Sequence, residues 1–429
     1  MKSSEPVMVS PMANADTHMH VAKMNDSDPF LKRVGIQNYK SIGACYVELG
    51  AVTILVGRNG SGKSNFLDGL RLVADGLQTS LDHAIKSRGG IDAVRRRSTG
   101  HPRNFAVRLE MNLKDWSTAI YRFEVGSEPE GVFFVKQEEL RVMAPNNRCR
   151  AHYVVHAGKV QTASTANMPP AAKDRLYLVN AAGLPDFREV YDALLAMGFY
   201  NVNPESMKEL QSPDAKELLH HDGGNVASVV ARLKKDQPET AARIIKYLST
   251  IVDGITDVDR VVLGPRETLE FRQGMEGAKH PWRFYAGSMS DGTLRALGTL
   301  VAVMQLVGRR EPVRMVGIEE PETALHPAAA GALMDALREA SVRTQILVTT
   351  HSPDLVDQVD PEKDRLLAVQ VSQGSTDIGP VDTASREAIR RHLYSPGELL
   401  RMNQLRIDPS DLRQQRQMNL FASTDEELP

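Results

Sequence analysis

The sequence predicts an α/β fold: a core of buried parallel strands, an antiparallel β lobe and a helical insertion. Three observations point there. The apolar run Val52–Val56 passes straight into Gly57-Arg58-Asn59-Gly60-Ser61-Gly62-Lys63-Ser64, after which Phe66, Leu70 and Val73 recur at helical spacing over 65–77. Between 105 and 155 strand-like runs follow one another too closely for parallel crossovers, so that lobe should be antiparallel. From 186 to 251 the apolar residues take the helical period instead.

Bulk composition narrows the class. With 429 residues the chain can hold one large domain with insertions, or about two to three ordinary ones. Hydrophobic residues make up 41% and charged ones 25%, which fits a globular chain in water. A formal net charge of −2 gives no global pull toward nucleic acid or anionic membrane. Only Cys45 and Cys149 are present, so no disulfide framework is implied and a reducing compartment fits. No apolar run approaches a membrane span, and the N-terminus lacks the pattern of a secretory signal. The expected address is the cytoplasm.

Taken in order, residues 1–29 are polar and aperiodic and are expected to be a disordered extension. The stretch 30–175 should form the first half of the folded unit. Strands at 31–39 and 45–49 flank the turn Lys40-Ser41-Ile42-Gly43 and lead to the glycine-rich loop. A basic segment follows, with Arg95, Arg96 and Arg97 in a row; such a run is a solvated face or a nucleic-acid contact. Strands are expected at 105–113, 119–125, 132–135, 139–142 and 152–155. His152 and His156 share a face of the last of these, but no Cys or carboxylate cluster accompanies them, so zinc is not expected. Residues 176–255 form the helical insertion, with stripes beginning at Phe187, Val226 and Ala241. The second half, 256–396, opens with strands at 258–263, 268–271 and 283–285. It continues with a helix over 296–307, the strand 313–318, a helix over 327–340 with proline in its first turn, a strand at 345–349 and a last strand at 366–371. A polar tail occupies 397–429.

The loop 57–64 has the G-x-x-x-x-G-K-S spacing of a P-loop, set between a strand and a helix. Its glycines let successive backbone N–H groups point inward at phosphate oxygens, and the helix N-terminus adds partial positive charge. Lys63 would reach the β- and γ-phosphates, the Ser64 hydroxyl would ligate Mg²⁺, and Asn65 would complete the cradle. A nucleoside triphosphate is the ligand this pattern specifies. The strand 313–318 ends in Glu319-Glu320, the Walker B arrangement. Glu319 is assigned to the metal and Glu320 to the base that polarises the attacking water. Ser290-Asp291-Gly292 opens the long apolar helix as an anion-binding end. His351, at the end of the strand 345–349, is placed to hydrogen-bond near the γ-phosphate.

These motifs in this order resemble the ABC-type ATPase heads of the RecF, SMC and OLD group. Asn38-Tyr39-Lys40-Ser41 is similar to the start of those heads, and Glu319-Glu320-Pro321-Glu322 with Leu325-His326-Pro327 looks like their Walker B region. The resemblance runs from about Leu31 to Val371 and implies a P-loop ABC-type head with ATP and Mg²⁺ as cofactors. It implies ATP sandwiched between two subunits, with Lys63, Ser64, Glu319, Glu320 and His351 acting in cis and Ser290, Asp291 and Gly292 in trans. A head-to-tail homodimer, or a higher oligomer, formed by ATP and released by hydrolysis would follow. Glu322 to Leu325 would be the D-loop crossing that interface.

Three departures shape the expectation. No long heptad run is present, so a coiled-coil arm is excluded. The stretch after His351 is too short and too poor in clustered acids for an appended nuclease. The Q-loop glutamine of such heads has no secure counterpart, since Gln78 lies too close to the P-loop and Gln137 too late. A stand-alone head is similar to the ATPase subunits of bacterial anti-phage operons, whose effector, a nuclease or toxin, is separately encoded. The leading expectation is such an ATPase switch controlling an effector in antiviral defence. A RecF-like DNA-repair clamp that binds DNA directly is the alternative, and a nucleotide-sensing scaffold with little turnover the third.

Overall fold

The computed structural model describes residues 29–98, 102–114, 116–128, 131–214, 218–305 and 313–421. The extension expected over 1–29 lies outside them except for Pro29, as does the acidic end from Ser423. Strands are β1 (Leu31–Tyr39), β2 (Ile42–Glu48), β3 (Val52–Val56), β4 (Asn104–Asn112), β5 (Thr118–Ser127), β6 (Phe133–Met143), β7 (Cys149–His156), β8 (Lys159–Ala163) and β9 (Met197–Tyr200). They continue as β10 (Ile255–Leu263), β11 (Arg266–Gln273), β12 (Trp282–Tyr285), β13 (Met315–Glu319), β14 (Gln345–Thr350), β15 (Arg365–Ser372) and β16 (Ser375–Pro380).

Among the described residues one 13-stranded sheet runs in the order β8-β7-β6-β5-β4-β1-β2-β16-β15-β3-β14-β13-β9. Its β15-β3-β14-β13-β9 end is parallel. Every residue of β3 and β14 is buried, as expected of strands covered on both faces, and this is why they read as unbroken apolar runs. The helix Lys63–Gln78 covers one face, packing Phe66, Leu70 and Val73 into a core shared with the antiparallel lobe. The helices Asp291–Met304 and Ala330–Ser341 cover the other, in a second core with the helices Val226–Asp236 and Pro238–Ile251. The fold is therefore α/β: a parallel core flanked by helices and continued by an antiparallel β lobe.

The lobe departs from the sequence expectation in two places: β8, which pairs with β7 at the sheet edge, has no counterpart among the expected strands, and two expected strands are one. The strands expected at 132–135 and 139–142 merge, from Phe133 on, into a single strand, β6, with Glu138 between them fully buried. Its carboxylate accepts hydrogen bonds from the Tyr121 and Tyr153 hydroxyls at 3.1 and 2.8 Å and from the Tyr177 and Leu178 backbone N–H groups at 2.5 and 2.8 Å. A buried acid breaks the apolar alternation that a strand normally shows, so pattern reading split the element. Glu138→Gln puts an amide N–H₂ against one of these donors and should cost about 2 kcal/mol of stability, read from the urea midpoint. Burial pushes the Glu138 carboxyl up to about 6 against an ordinary 4.5. Folded protein therefore binds the proton more tightly than unfolded. That stabilising contribution is complete below about pH 4.5 and lost as pH rises through about 6, so the deficit of Glu138→Gln should be larger at the acid end.

Elsewhere the structure adds strands. β9 joins the core edge beside β13 from within the segment expected to be mainly helical. β16 follows the strand expected to be last, through Gln373 and Gly374, both at positive φ (50° and 72°), which is the tight hairpin geometry. The small sheet β10-β11-β12 stands apart. The polar tail contributes the helices Pro396–Arg401 and Pro409–Gln417. Leu399, Leu405 and Ile407 pack with Val56, Val356, Ala368 and Val381. The second helix docks through Gln415, which donates to Ile378 O at 3.0 Å and accepts from Tyr46 N at 3.2 Å. No helix among the described residues is long and apolar enough to cross a membrane.

Candidate functional site

β3, β14 and β13 run parallel, so their carboxyl ends open on one edge of the sheet, where ligands of α/β folds bind. β3 runs into the P-loop. A Cβ at Gly57 would stand 2.3 Å from Val369 O, so only glycine lets the loop leave β3 this close to β15. Gly62, at φ 101°, begins the helix Lys63–Gln78 and has Thr376 Oγ1 2.2 Å from where its Cβ would be. Thr376 in turn donates to Ser61 O at 2.8 Å and contacts Ser41 Oγ at 2.7 Å, while Asn65 Nδ2 donates to Ser41 Oγ at 2.7 Å. Asn65, expected as a nucleotide contact, thus ties the loop to the β1–β2 turn. Arg58, Asn59, Gly60 and Ser64 are exposed at the mouth. The Ser61 hydroxyl is buried with no partner among the described residues.

Lys63 is buried, and its ammonium donates to Gly57 O at 2.8 Å and Arg58 O at 3.2 Å. Burial lowers its pKa, and Glu320, Glu322 and Glu319 act against that shift. Glu320 Oε1 is 3.9 Å from Lys63 Nζ and 3.1 Å from His351 Nδ1, the latter without the alignment of a hydrogen bond. Residues from three separate strand ends thus meet within one cluster. Glu319 closes β13 in register with Thr349. Glu320 then takes a positive φ of 43°, a conformation unusual for glutamate, which turns the chain while its N–H still bonds Thr349 O at 2.9 Å.

Glu322 belongs to the same cluster, a role that the sequence reading did not give it. Its Oε1 accepts from Thr350 Oγ1, its Oε2 is buried without a partner, and burial raises its carboxyl. The signal was present in Glu319-Glu320-Pro321-Glu322, where the third carboxylate follows a turn and comes back toward the lysine. Asn201, directly after β9, lies at the same sheet edge, where the sequence offered no glutamine.

The signature sits apart. Ser290 caps the helix Asp291–Met304, its Oγ accepting from Thr293 N at 3.2 Å, and Asp291 pairs with Lys208 at 2.6 Å. Among the described residues no hydrogen bond or ion pair joins Ser290, Asp291 or Gly292 to the P-loop. Gly292 instead abuts the turn after Walker B: a Cβ there would lie 2.3 Å from Ala324 O. Gly292→Ala should therefore cost about 1–3 kcal/mol by overpacking against main chain, measured by chemical denaturation. The basic run is partly neutralised, since Arg95 pairs with the Asp92 carboxylate at 2.7 Å, while Arg97 Nε donates to the Asp92 main-chain carbonyl at 3.1 Å.

The cluster fits a magnesium nucleotide. Three carboxylates against one ammonium leave an excess of negative charge that a divalent cation would balance. No group of three or more His, Cys, Asp or Glu side chains among the described residues could cage a metal by itself. Ser64 and Glu319 are the side chains that would hold Mg²⁺, and their oxygen donors suit that cation.

The family described as "AAA domain, putative AbiEii toxin, Type IV TA system" matches residues 52–162 and 212–357, more than half of the chain. No curated protein matches it. The fold is similar to a solved SMC head bound to the C-winged helix domain of ScpA, at 14% identity over 83% of this chain and 100% of that one, with a TM-score of 0.48. An SMC head with an extended coiled coil, bound to the C-terminal domain of ScpA derived from Pyrococcus furiosus, gives 13% identity over 85% of this chain and 99% of that one, with a TM-score of 0.48. The SMC head domain from Thermotoga maritima gives 15% over 82% and 100%, with a TM-score of 0.40. By the extent of the family match, the chain belongs to the AAA-domain family carrying the AbiEii and type IV toxin–antitoxin description.

Proposed function

We propose that the protein binds and hydrolyses MgATP and works as an ATP-dependent switch for a separately encoded effector in anti-phage defence. One observation carries the ATPase reading: Lys63, Glu320 and His351, from three strand ends far apart in sequence, meet within 4.0 Å of one another in pairs through Glu320. In the reaction, water attacks the γ-phosphorus, the bond to the β,γ-bridging oxygen breaks, and ADP and phosphate leave. Glu320 takes the water proton, and His351, its Nδ1 3.1 Å from that carboxylate, is placed to hydrogen-bond near the γ-phosphate. Lys63 neutralises charge on the phosphates. Bound Mg²⁺ would supply Lewis-acid stabilisation of the phosphate oxygens.

The exposed signature supports action in trans. Ser290 and Asp291 lie at the surface without contact to their own P-loop, so a second copy can bring its signature to this ATP and close a head-to-tail dimer. The toxin–antitoxin description of the family supports an effector partner. Direct clamping of DNA draws less support, because Arg95 is already paired with Asp92. The test is affinity capture of the Glu320→Gln protein from its native host, with mass spectrometry of partners and sequencing of bound DNA. Stoichiometric recovery of a nuclease- or toxin-like protein is the expected result. DNA recovered without a protein partner would replace the switch with a repair clamp.

A further inference from the structure

On the β15 side of the P-loop lies a cleft of about 600 Å³, within the range of small-molecule pockets. Its floor is the first half of the loop. One wall is the exposed end of β15, and the other is the C-terminal segment, through Leu400, Asn403 and Arg406. That segment is firmly seated: Gln370 Nε2 of β15 donates to Leu405 O at 2.9 Å, and Leu399 and Leu405 pack on Val56, the last residue of β3. No carboxylate lines the cleft among the described residues. The side chains of Arg58, Asn403 and Arg406 have no hydrogen-bond or ion-pair partner there, and Val371 is 56% exposed. The cleft therefore offers positive charge, a free carboxamide and an apolar patch together.

Direction decides what could fill it. Lys63, Glu319, Glu320 and His351 fix the terminal phosphate on the β13–β14 side of β3. The remainder of a nucleotide threaded through the P-loop then has the β15 side open to it. We infer that the C-terminal segment forms the wall for the adenosine half of ATP, with Val371 and Leu400 against the face of the base and Asn403 bonding its edge. This rests on the ATP-binding reading above and extends it to a segment outside the matched family region, which ends at residue 357. It makes the tail a nucleotide-reading element, coupled to β3 through the Val56 cluster.

The test separates adenosine from phosphate. Asn403 sits at a positive φ of 56°, so Asn403→Gly removes the carboxamide while suiting the backbone, and Val371→Ser removes an exposed methyl surface. Calorimetric titration of this double variant should show MgATP binding weakened roughly tenfold and inorganic tripolyphosphate binding unchanged within about twofold. Equal weakening of both ligands, or of neither, overturns the adenosine wall and leaves the P-loop reading standing. Failure of the wild-type protein to bind either ligand overturns both. Photolabelling of the wild-type protein with 8-azido-ATP gives a second measurement that needs no variant. The label should fall in a peptide covering 396–407, and a label confined to the β1–β2 turn would refute the inference.

Discussion

Lys63→Ala should abolish MgATP binding at micromolar nucleotide, with Kd raised about 100-fold or more by calorimetry or fluorescent-nucleotide titration. The magnitude follows from losing charge-assisted bonds to phosphate, worth up to ~3 kcal/mol. The Lys63 side chain is 4% exposed and its ammonium is already oriented by Gly57 O and Arg58 O, so little ordering is needed when phosphate arrives. The fold should survive, because burial disfavours the charged lysine and Glu320, at 34% side-chain exposure, retains water as a partner. A far-ultraviolet spectrum and melting temperature like those of the wild type would show this. Normal nucleotide affinity in the variant would sink the P-loop assignment.

Glu320→Gln should lower turnover by about 10²- to 10⁴-fold while leaving ATP affinity intact. The amide is nearly isosteric but cannot take a proton from water. His351 Nδ1 would remain beside the remaining oxygen, so the geometry should persist and only the chemistry stop. The proposed consequence is accumulation of an ATP-bound dimer, visible by light scattering with ATP and absent with ADP. Wild-type turnover in this variant would mean that another group is the base, and Glu322, buried with an unpartnered oxygen nearby, would be the first to examine.

Much of the fold was legible in the chain. β1, β3, the helix Lys63–Gln78 and the ends of β13 and β14 fall within a residue or two of their expected positions, because buried parallel strands and a glycine-rich turn write strong local patterns. The reading failed where a tertiary partner overrode the pattern. Glu138 looked like a break because its hydrogen-bond donors come from β5, β7 and the segment 177–178. β9 is short and ends in Phe199-Tyr200, and only pairing with β13 makes it a strand.

The tail reads as polar because the helix Pro409–Gln417 docks by Gln415 hydrogen bonds and not by an apolar stripe. The sequence by itself determined the residue types of the site, since a strand followed by G-x-x-x-x-G-K-S and a helix, and a strand ending in paired glutamates, are each local patterns. Only the tertiary structure decided which of them meet. Convergence of Lys63, Glu320, Glu322 and His351, the separation of Ser290-Asp291-Gly292 from the loop, and the C-terminal wall of the cleft depend on strand order, which non-local burial selects and no local pattern encodes.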